Sequence, residues 1–213
     1  MPRRLAAGLA LASGVLLALC LPRPGLCFLG WIGLAPLLYA VTRRPRREAF
    51  WLGLLAGFAF HGVAFYWIYS TCRFAEIPPA GGALALAALS AALGLNWALT
   101  GLLGRALAAR APRALRPFLW ALVWTAVAAA FARWTPRPAV DLLTYTQGPN
   151  LALLQAGAWG GPHLVGFLVV LVNASLAEAW LDANAPGAAG AGPGPSVVPL
   201  SAALALTAAV WAA

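Results

Sequence analysis

Lysine is absent from this chain, and only five acidic residues stand against fourteen arginines. Charged residues make up 9% of the 213 residues, whereas they make up about 25% of an average soluble domain. Hydrophobic residues make up 62%, which is more apolar surface than a soluble globule of this size can bury. The shortage of charge therefore excludes an ordinary soluble domain and indicates a protein whose solvent is lipid.

The sequence also lacks the residue patterns of common catalytic and metal sites. Its cysteines, Cys20, Cys27 and Cys72, show no Cys-x-x-Cys or Cys/His spacing, so no metal or cofactor is expected. No Gly-x-Ser-x-Gly, phosphate-binding loop, His-Glu-x-x-His or paired-carboxylate motif is found. The arginines lie in short gaps between apolar runs rather than along one helix face, and this placement argues against nucleic acid as a partner.

Long apolar runs occupy most of the chain. A helix needs about 20 apolar residues to cross a bilayer, and continuous runs differ from the alternating pattern of a membrane β-barrel. The runs predict an all-α, polytopic membrane helix bundle of about seven transmembrane helices, forming a single domain over residues 1–213. The predicted spans are 5–21, 26–42, 49–71, 80–104, 117–134, 162–181 and 197–213.

The arginines fall mainly in alternate gaps between these spans. With the N-terminus in the cytoplasm, ten arginines lie on the inner side and four on the outer side, in agreement with the positive-inside rule. We therefore expect a cytoplasmic N-terminus. Residues 135–161 are expected to form an outer interfacial loop, and the Ala-, Gly- and Pro-rich residues 182–196 a flexible inner linker.

Polar and aromatic side chains within the runs are candidates for a functional role. His61 and Asn173 lie at membrane depth. Packing or bonding between helices is the favoured role for both, and a proton path or ligand site is the alternative. Tyr66, Trp67 and Tyr69 end the third span, at the interfacial depth where aromatic rings usually collect.

Several segments share a pattern that goes beyond hydropathy. In Leu29–Leu38 a tryptophan precedes an apolar-Pro-Leu-Leu run, and Phe50–Phe58 is followed by the aromatic segment Tyr66–Tyr69. Leu143–Gln147 reads Leu-Thr-Tyr-Thr-Gln, and Gly166–Asn173 is an apolar run that ends in asparagine. In their order and spacing, these segments resemble the bacterial apolipoprotein N-acyltransferase family over nearly the whole chain.

This resemblance implies an enzyme of the bacterial inner membrane that transfers an acyl chain from a phospholipid to the N-terminal cysteine of a diacylated lipoprotein. In that family the membrane helices form a platform open to lipid, and a nitrilase-like domain supplies a glutamate, a lysine and a nucleophilic cysteine that takes the acyl group as a thioester. The residues expected to line the approach of lipid or substrate are His61, Tyr66, Trp67, Tyr69, Tyr145, Gln147 and Asn173.

The chain departs from the family pattern at important points. It contains no recognisable nitrilase-like domain and no lysine, so no catalytic residue is assigned and no activity is expected of it alone. Counting back from Gln147, Ala128 and Phe131 stand where the family has a glutamate and an arginine.

Three hypotheses follow. The chain is the membrane part of an N-acyltransferase, a truncated product or incomplete gene, with its catalytic domain in cis or in trans. Alternatively, it is a stand-alone membrane scaffold or lipid-binding module without enzymatic activity. A small transporter is disfavoured, because the sequence shows neither a broken helix nor an intramembrane charge.

Overall fold

The computed structural model of the protein describes residues 1–21, 25–134, 143–184 and five positions between 201 and 208. Every regular element among these residues is helical, which confirms the all-α class. The α-helices are α1 (Arg3–Ala18), α2 (Ala35–Thr42), α3 (Arg46–Ala64), α4 (Trp67–Phe74), α5 (Pro79–Ala108), α6 (Arg116–Trp134), α7 (Leu151–Leu154) and α8 (Gly157–Ala183). The 3-10 helices are Cys27–Trp31, Arg113–Leu115 and Leu143–Gln147.

Three segments are long and apolar enough to cross a membrane: α5, Arg113–Arg133 and α8. Helices α3 and α4 meet the same criterion as a pair, but they are bent by 51° at the break between them. The described residues thus contain up to four candidate spans. The count of seven spans and the orientation of the N-terminus stay predictions. Most of the expected span 197–213 and most of the linker 182–196 lie outside the described residues.

Glycine allows α3 and α5 to pack at close range. A Cβ atom on Gly53 would lie 2.3 Å from the carbonyl oxygen of Trp97, and one on Gly57 would lie 2.8 Å from the Cα of Gly94. On the other side of α3, a Cβ on Gly14 of α1 would lie 2.2 Å from a backbone oxygen of α3. Small residues of this kind are the usual means by which membrane helices approach each other closely.

The short helix α2 lies inside the bundle. It contacts α1, α3, α5 and α8, and six of its eight residues are buried. Further contacts join α1 to α3, α3 to α5, α5 to α6 and α6 to α8, so longer helices surround α2. Both ends of α2 therefore fall among other helices, and this position determines where its backbone must find hydrogen-bond partners.

Two predicted spans are not continuous helices. Residues 26–42 consist of the 3-10 helix Cys27–Trp31 and α2, with non-helical residues between them. Residues 49–71 break at Phe65 and Tyr66, although the apolar run continues through the break. The expectation that the chain has no broken helix was therefore wrong. The start of the sixth span at residue 162 coincides with a kink in α8, where Gly161 adopts φ +65°.

Candidate functional site

Asn173 of α8 binds the start of α2. Its Oδ1 accepts hydrogen bonds from the backbone N–H groups of Leu34 and Ala35, at 2.9 and 3.0 Å. Its Nδ2 donates to the carbonyl oxygens of Gly30 and Val169, both at 2.8 Å. The side-chain amide thus makes two donated and two accepted bonds, which is its full capacity. Because the residue is completely buried, its polar atoms are committed to the backbone of the bundle.

A second side chain completes the cap of α2. The Oγ of Ser13, on α1, accepts a hydrogen bond from the N–H of Leu37 at 2.9 Å. Pro36 lies between the capped residues Ala35 and Leu37 and has no N–H group that needs a partner. The free N–H groups at a helix start require partners, and no water is available for them in a membrane interior. Side chains from α1 and α8 therefore take the place of a local N-cap residue.

Gln147 lies beside this cap. Its Nε2 donates to the carbonyl oxygen of Cys27 at 3.0 Å and to the hydroxyl of Thr146 at 3.3 Å. A Cβ atom on Gly30 would lie 2.4 Å from the same Nε2, so only glycine fits there without displacement. The hydroxyl of Thr144 donates to the carbonyl oxygen of Pro162 at the start of the regular part of α8.

We call this group the polar junction; its members are Ser13, Gly30, Thr144, Thr146, Gln147 and Asn173. It joins the segments Leu29–Leu38, Leu143–Gln147 and Gly166–Asn173, which lie far apart in the sequence. The Oε1 of Gln147 is buried and has no hydrogen-bond partner among the described residues.

His61 lies in a different part of the bundle, within an aromatic cluster. Its ring is parallel to that of Phe65 at a centroid distance of 5.9 Å, and it meets Phe60 and Trp97 edge-on at 5.0 and 6.4 Å. Its Nδ1 lies 2.6 Å from the carbonyl oxygen of Gly57, one turn earlier in α3. The ring is fully buried, and a role of His61 in lining the approach of lipid or substrate stays a prediction.

A cleft of about 250 Å³ opens next to the polar junction. It is lined by Thr144, Tyr145, Gly148, Leu154, Gly157, Pro162 and Val165. Its walls are mainly apolar, and the ring of Tyr145 is partly exposed beside it. Pockets for drug-sized ligands are usually about 300–1,000 Å³, so this cleft suits a segment of an apolar chain rather than a whole lipid.

Helix α4 and Tyr66, the residue before it, lie on the outside of the bundle. Tyr66 is 67% exposed and Trp67 52% exposed, and Phe74 at the end of the helix is 92% exposed. No residue of α4 is buried. Tyr69 lies against Gly82 of α5. Tyr66, Trp67 and Tyr69 therefore form a group separate from the polar junction, and their contact with lipid or substrate stays a prediction.

Sequence reasoning identified two members of the junction and missed four. Ser13, Thr144 and Thr146 are common residue types in apolar runs, and nothing local marks their partners. Gly30 could have been identified from the sequence, because a glycine within a helical run often lies where another segment packs closely against the backbone. Among the described residues, no group of three or more His, Cys, Asp or Glu side chains could hold a metal ion.

A family model and three relatives point to the same protein family. The family description "Apolipoprotein N-acyltransferase N-terminal domain" matches residues 13–175, which include Ser13 and Asn173 of the polar junction. A protein of Geobacter metallireducens named apolipoprotein N-acyltransferase is 34% identical over 169 residues, covering 79% of this chain and 32% of the relative.

Two further relatives carry the same name. The protein of a Nostoc species is 31% identical over 170 residues, covering 73% of this chain and 33% of the relative. That of Gloeobacter violaceus is 31% identical over 186 residues, covering 84% and 35%. The chain spans about a third of the length of the curated relatives it matches. It therefore belongs to the apolipoprotein N-acyltransferase family and matches the N-terminal domain of that family.

Proposed function

We propose that this chain is the membrane-embedded part of an enzyme that transfers an acyl chain from a phospholipid to the N-terminal cysteine of a lipoprotein. The observation that carries the proposal is the family match over residues 13–175. It is supported by the three apolar segments long enough to span a membrane and by the bent pair α3 and α4.

In this proposal the chain supplies the platform on which acyl transfer takes place. The chemistry requires a nucleophile and a base, and the chain offers no lysine for the family's catalytic set. A nitrilase-like domain, in the same polypeptide or in a separate one, would provide the glutamate, lysine and cysteine. The partners are the phospholipid bilayer and a diacylated lipoprotein.

The proposed location is the bacterial inner membrane, with several spans and a cytoplasmic N-terminus. The support for this orientation is the excess of arginine in alternate gaps. The cleft beside Tyr145 and the exposed rings of Tyr66 and Trp67 would then lie toward the outer surface. Both features present apolar surface outside the tightly packed core, where an acyl chain could approach.

A second function, a membrane scaffold or lipid-binding module without catalysis, is favoured by Ala128. Counting back without gaps from Gln147, this residue stands where the family resemblance places a glutamate. It is 4% exposed and packs in the core of the bundle. A carboxylate at this buried position would need a partner, and the sequence has replaced it with a methyl group.

The test is reconstitution of lipoprotein N-acylation. The chain is placed in liposomes with a diacylated lipopeptide, with and without the nitrilase-like domain of a relative supplied as a fusion. We expect no turnover by the chain alone and measurable turnover by the fusion. Turnover by the chain alone would disprove the proposal that catalysis needs the nitrilase-like domain. An inactive but correctly folded fusion would favour the second function, a membrane scaffold or lipid-binding module without catalysis.

Replacing Tyr66, Trp67 and Tyr69 together with leucine in the active fusion tests the lipid approach. We expect a lower rate of acylation with the fold retained. An unchanged rate would exclude these residues from substrate approach.

A further inference from the structure

A pocket that belongs to neither the polar junction nor the cleft opens where α5 ends and α6 begins. Its volume is about 140 Å³, and it is lined by Thr42, Arg105, Ala108, Ala109 and Arg116. Thr42 is the last residue of α2, so three helices contribute their ends to this pocket. We call it the arginine pocket.

The guanidinium groups of the arginine pocket are only partly paired. Arg105 donates through Nε to the carbonyl oxygen of Arg44 at 2.8 Å, and its two Nη groups make no ion pair with any carboxylate in the described part of the chain. Arg116 donates through Nε to the carbonyl oxygen of Ala111 at 3.3 Å. Its Nη1 lies 3.8 Å from Oε2 of Glu178, which is too far for a hydrogen bond.

The charges around the pocket leave one positive charge in excess. Two arginines, Arg105 and Arg116, line the pocket, and one carboxylate, that of Glu178 on α8, lies 3.8 Å from Arg116. Arg113 and Asp182 at the same end of the bundle form their own ion pair at 3.2 Å, and together they are neutral. The helix ends do not supply the excess, because the C-termini of α2 and α5 carry partial negative charge and outnumber the partly positive N-terminus of α6. The positive charge therefore comes from the arginine side chains.

We propose that the arginine pocket binds a single phosphate group. The planar guanidinium fork matches phosphate oxygens in pairs, and a phosphodiester with one negative charge would neutralise the excess. An anionic phospholipid headgroup and free inorganic phosphate share this chemistry. The position favours the lipid: basic pockets between membrane helices are typical headgroup sites. Leu107 and Leu115, on either side of the junction between α5 and α6, are about half exposed and available to acyl chains.

The experiment measures lipid retained by the full chain. The purified protein is placed in phosphatidylcholine nanodiscs with increasing phosphatidylglycerol, and the phosphatidylglycerol that remains bound after transfer to detergent is counted by native mass spectrometry. Arg105→Gln is expected to lower the retained phosphatidylglycerol about tenfold, because hydrogen bonds between charged groups are the strong ones. Arg110→Gln is the matched control. It removes the same charge at the same helix end, from an exposed arginine that does not line the pocket.

A second variant distinguishes loss of the pocket's positive charge from a folding defect caused by Arg105→Gln. Ala109→Glu adds a carboxylate to the exposed wall of the pocket while both arginines stay in place, and it is expected to cause the same loss. Equal losses in Arg105→Gln and Arg110→Gln, or no loss in either pocket variant, would overturn the proposal.

Titration with inorganic phosphate in phosphatidylcholine discs distinguishes the two sources. Binding of phosphate that depends on Arg105, without retention of phosphatidylglycerol, would keep the phosphate site and reject lipid as its source. The readout is binding and not turnover, so it is independent of the acyltransferase proposal.

Discussion

Replacing Asn173 with leucine would remove the amide that holds the start of α2 and leave a side chain of similar size in its place. The N–H group of Leu34 and the carbonyl oxygen of Gly30 would lose their partner, and the N–H group of Ala35 would keep only its 3.2 Å bond to the carbonyl oxygen of Ile32. The fourth partner, Val169, lies one turn earlier in the same helix and keeps its bond within α8. The variant therefore affects mainly the contact between α8 and α2.

The expected loss of stability can be bounded from the three hydrogen bonds that are removed. A hydrogen bond between membrane helices is worth about 0.6 kcal/mol on average, so three such bonds give a lower value of about 2 kcal/mol. An unpaired buried group in a soluble protein costs about 1–3 kcal/mol, and about 2 kcal/mol for each of the two groups left unpaired gives an upper value of about 4 kcal/mol. We expect Asn173→Leu to lower the free energy of unfolding by about 2–4 kcal/mol.

The assay is unfolding of the purified chain in mixed micelles by increasing sodium dodecyl sulfate, followed by tryptophan fluorescence. Ser175→Ala is the matched control, since Ser175 is equally buried two residues further along α8. Its hydroxyl donates only within its own helix, to the carbonyl oxygen of Leu171 at 2.8 Å, so its loss is expected to stay below about 1 kcal/mol. Similar losses for the two variants would refute the assignment of Asn173 as the cap of α2.

Two further predictions follow from the packing and from the orientation. Gly30→Ala places a methyl group 2.4 Å from Nε2 of Gln147 and is expected to destabilise the chain by about 1–3 kcal/mol in the same assay. Gly8→Ala, which meets nothing within 4 Å, is expected to be neutral or stabilising, and a loss equal to that of Gly30→Ala would contradict the packing argument. In single-cysteine variants, an impermeant maleimide added to spheroplasts is expected to label the partly exposed Cys72 and to leave the buried Cys20 unmodified. Labelling of Cys72 only after lysis would contradict a cytoplasmic N-terminus.

The sequence predicts the helical class because long apolar runs require it, and it marks Asn173 as a residue that bonds between helices. It does not reveal which backbone groups Asn173 binds, because Leu34 and Ala35 are more than 130 residues away. Contacts at such separation depend on how the helices pack. Ser13 was missed although its partner Leu37 is only 24 residues away, because nothing near it in the sequence marks that partner.

The sequence marks one break in the predicted spans with helix-breaking residues and leaves the other unmarked. Gly30, Gly33 and Pro36 mark the break within 26–42, and a stricter use of these residues as helix breakers would have found it. The bend after Ala64 has no such mark, because Phe65 and Tyr66 continue the apolar run. It depends on packing of α4 against α5, which hydropathy does not report.

The capping of α2 has a consequence for the order in which the bundle is completed during synthesis. The codons of Leu34 and Asn173 are 139 positions apart, so at about 5–20 residues per second the ribosome needs about 7–28 s to travel between them. Throughout that interval the N–H group of Leu34 lacks the side-chain amide that it binds in the folded chain, and the N–H group of Ala35 has only its local bond to the carbonyl oxygen of Ile32. A segment translated among the first thus reaches its final hydrogen bonding only after α8 has been made.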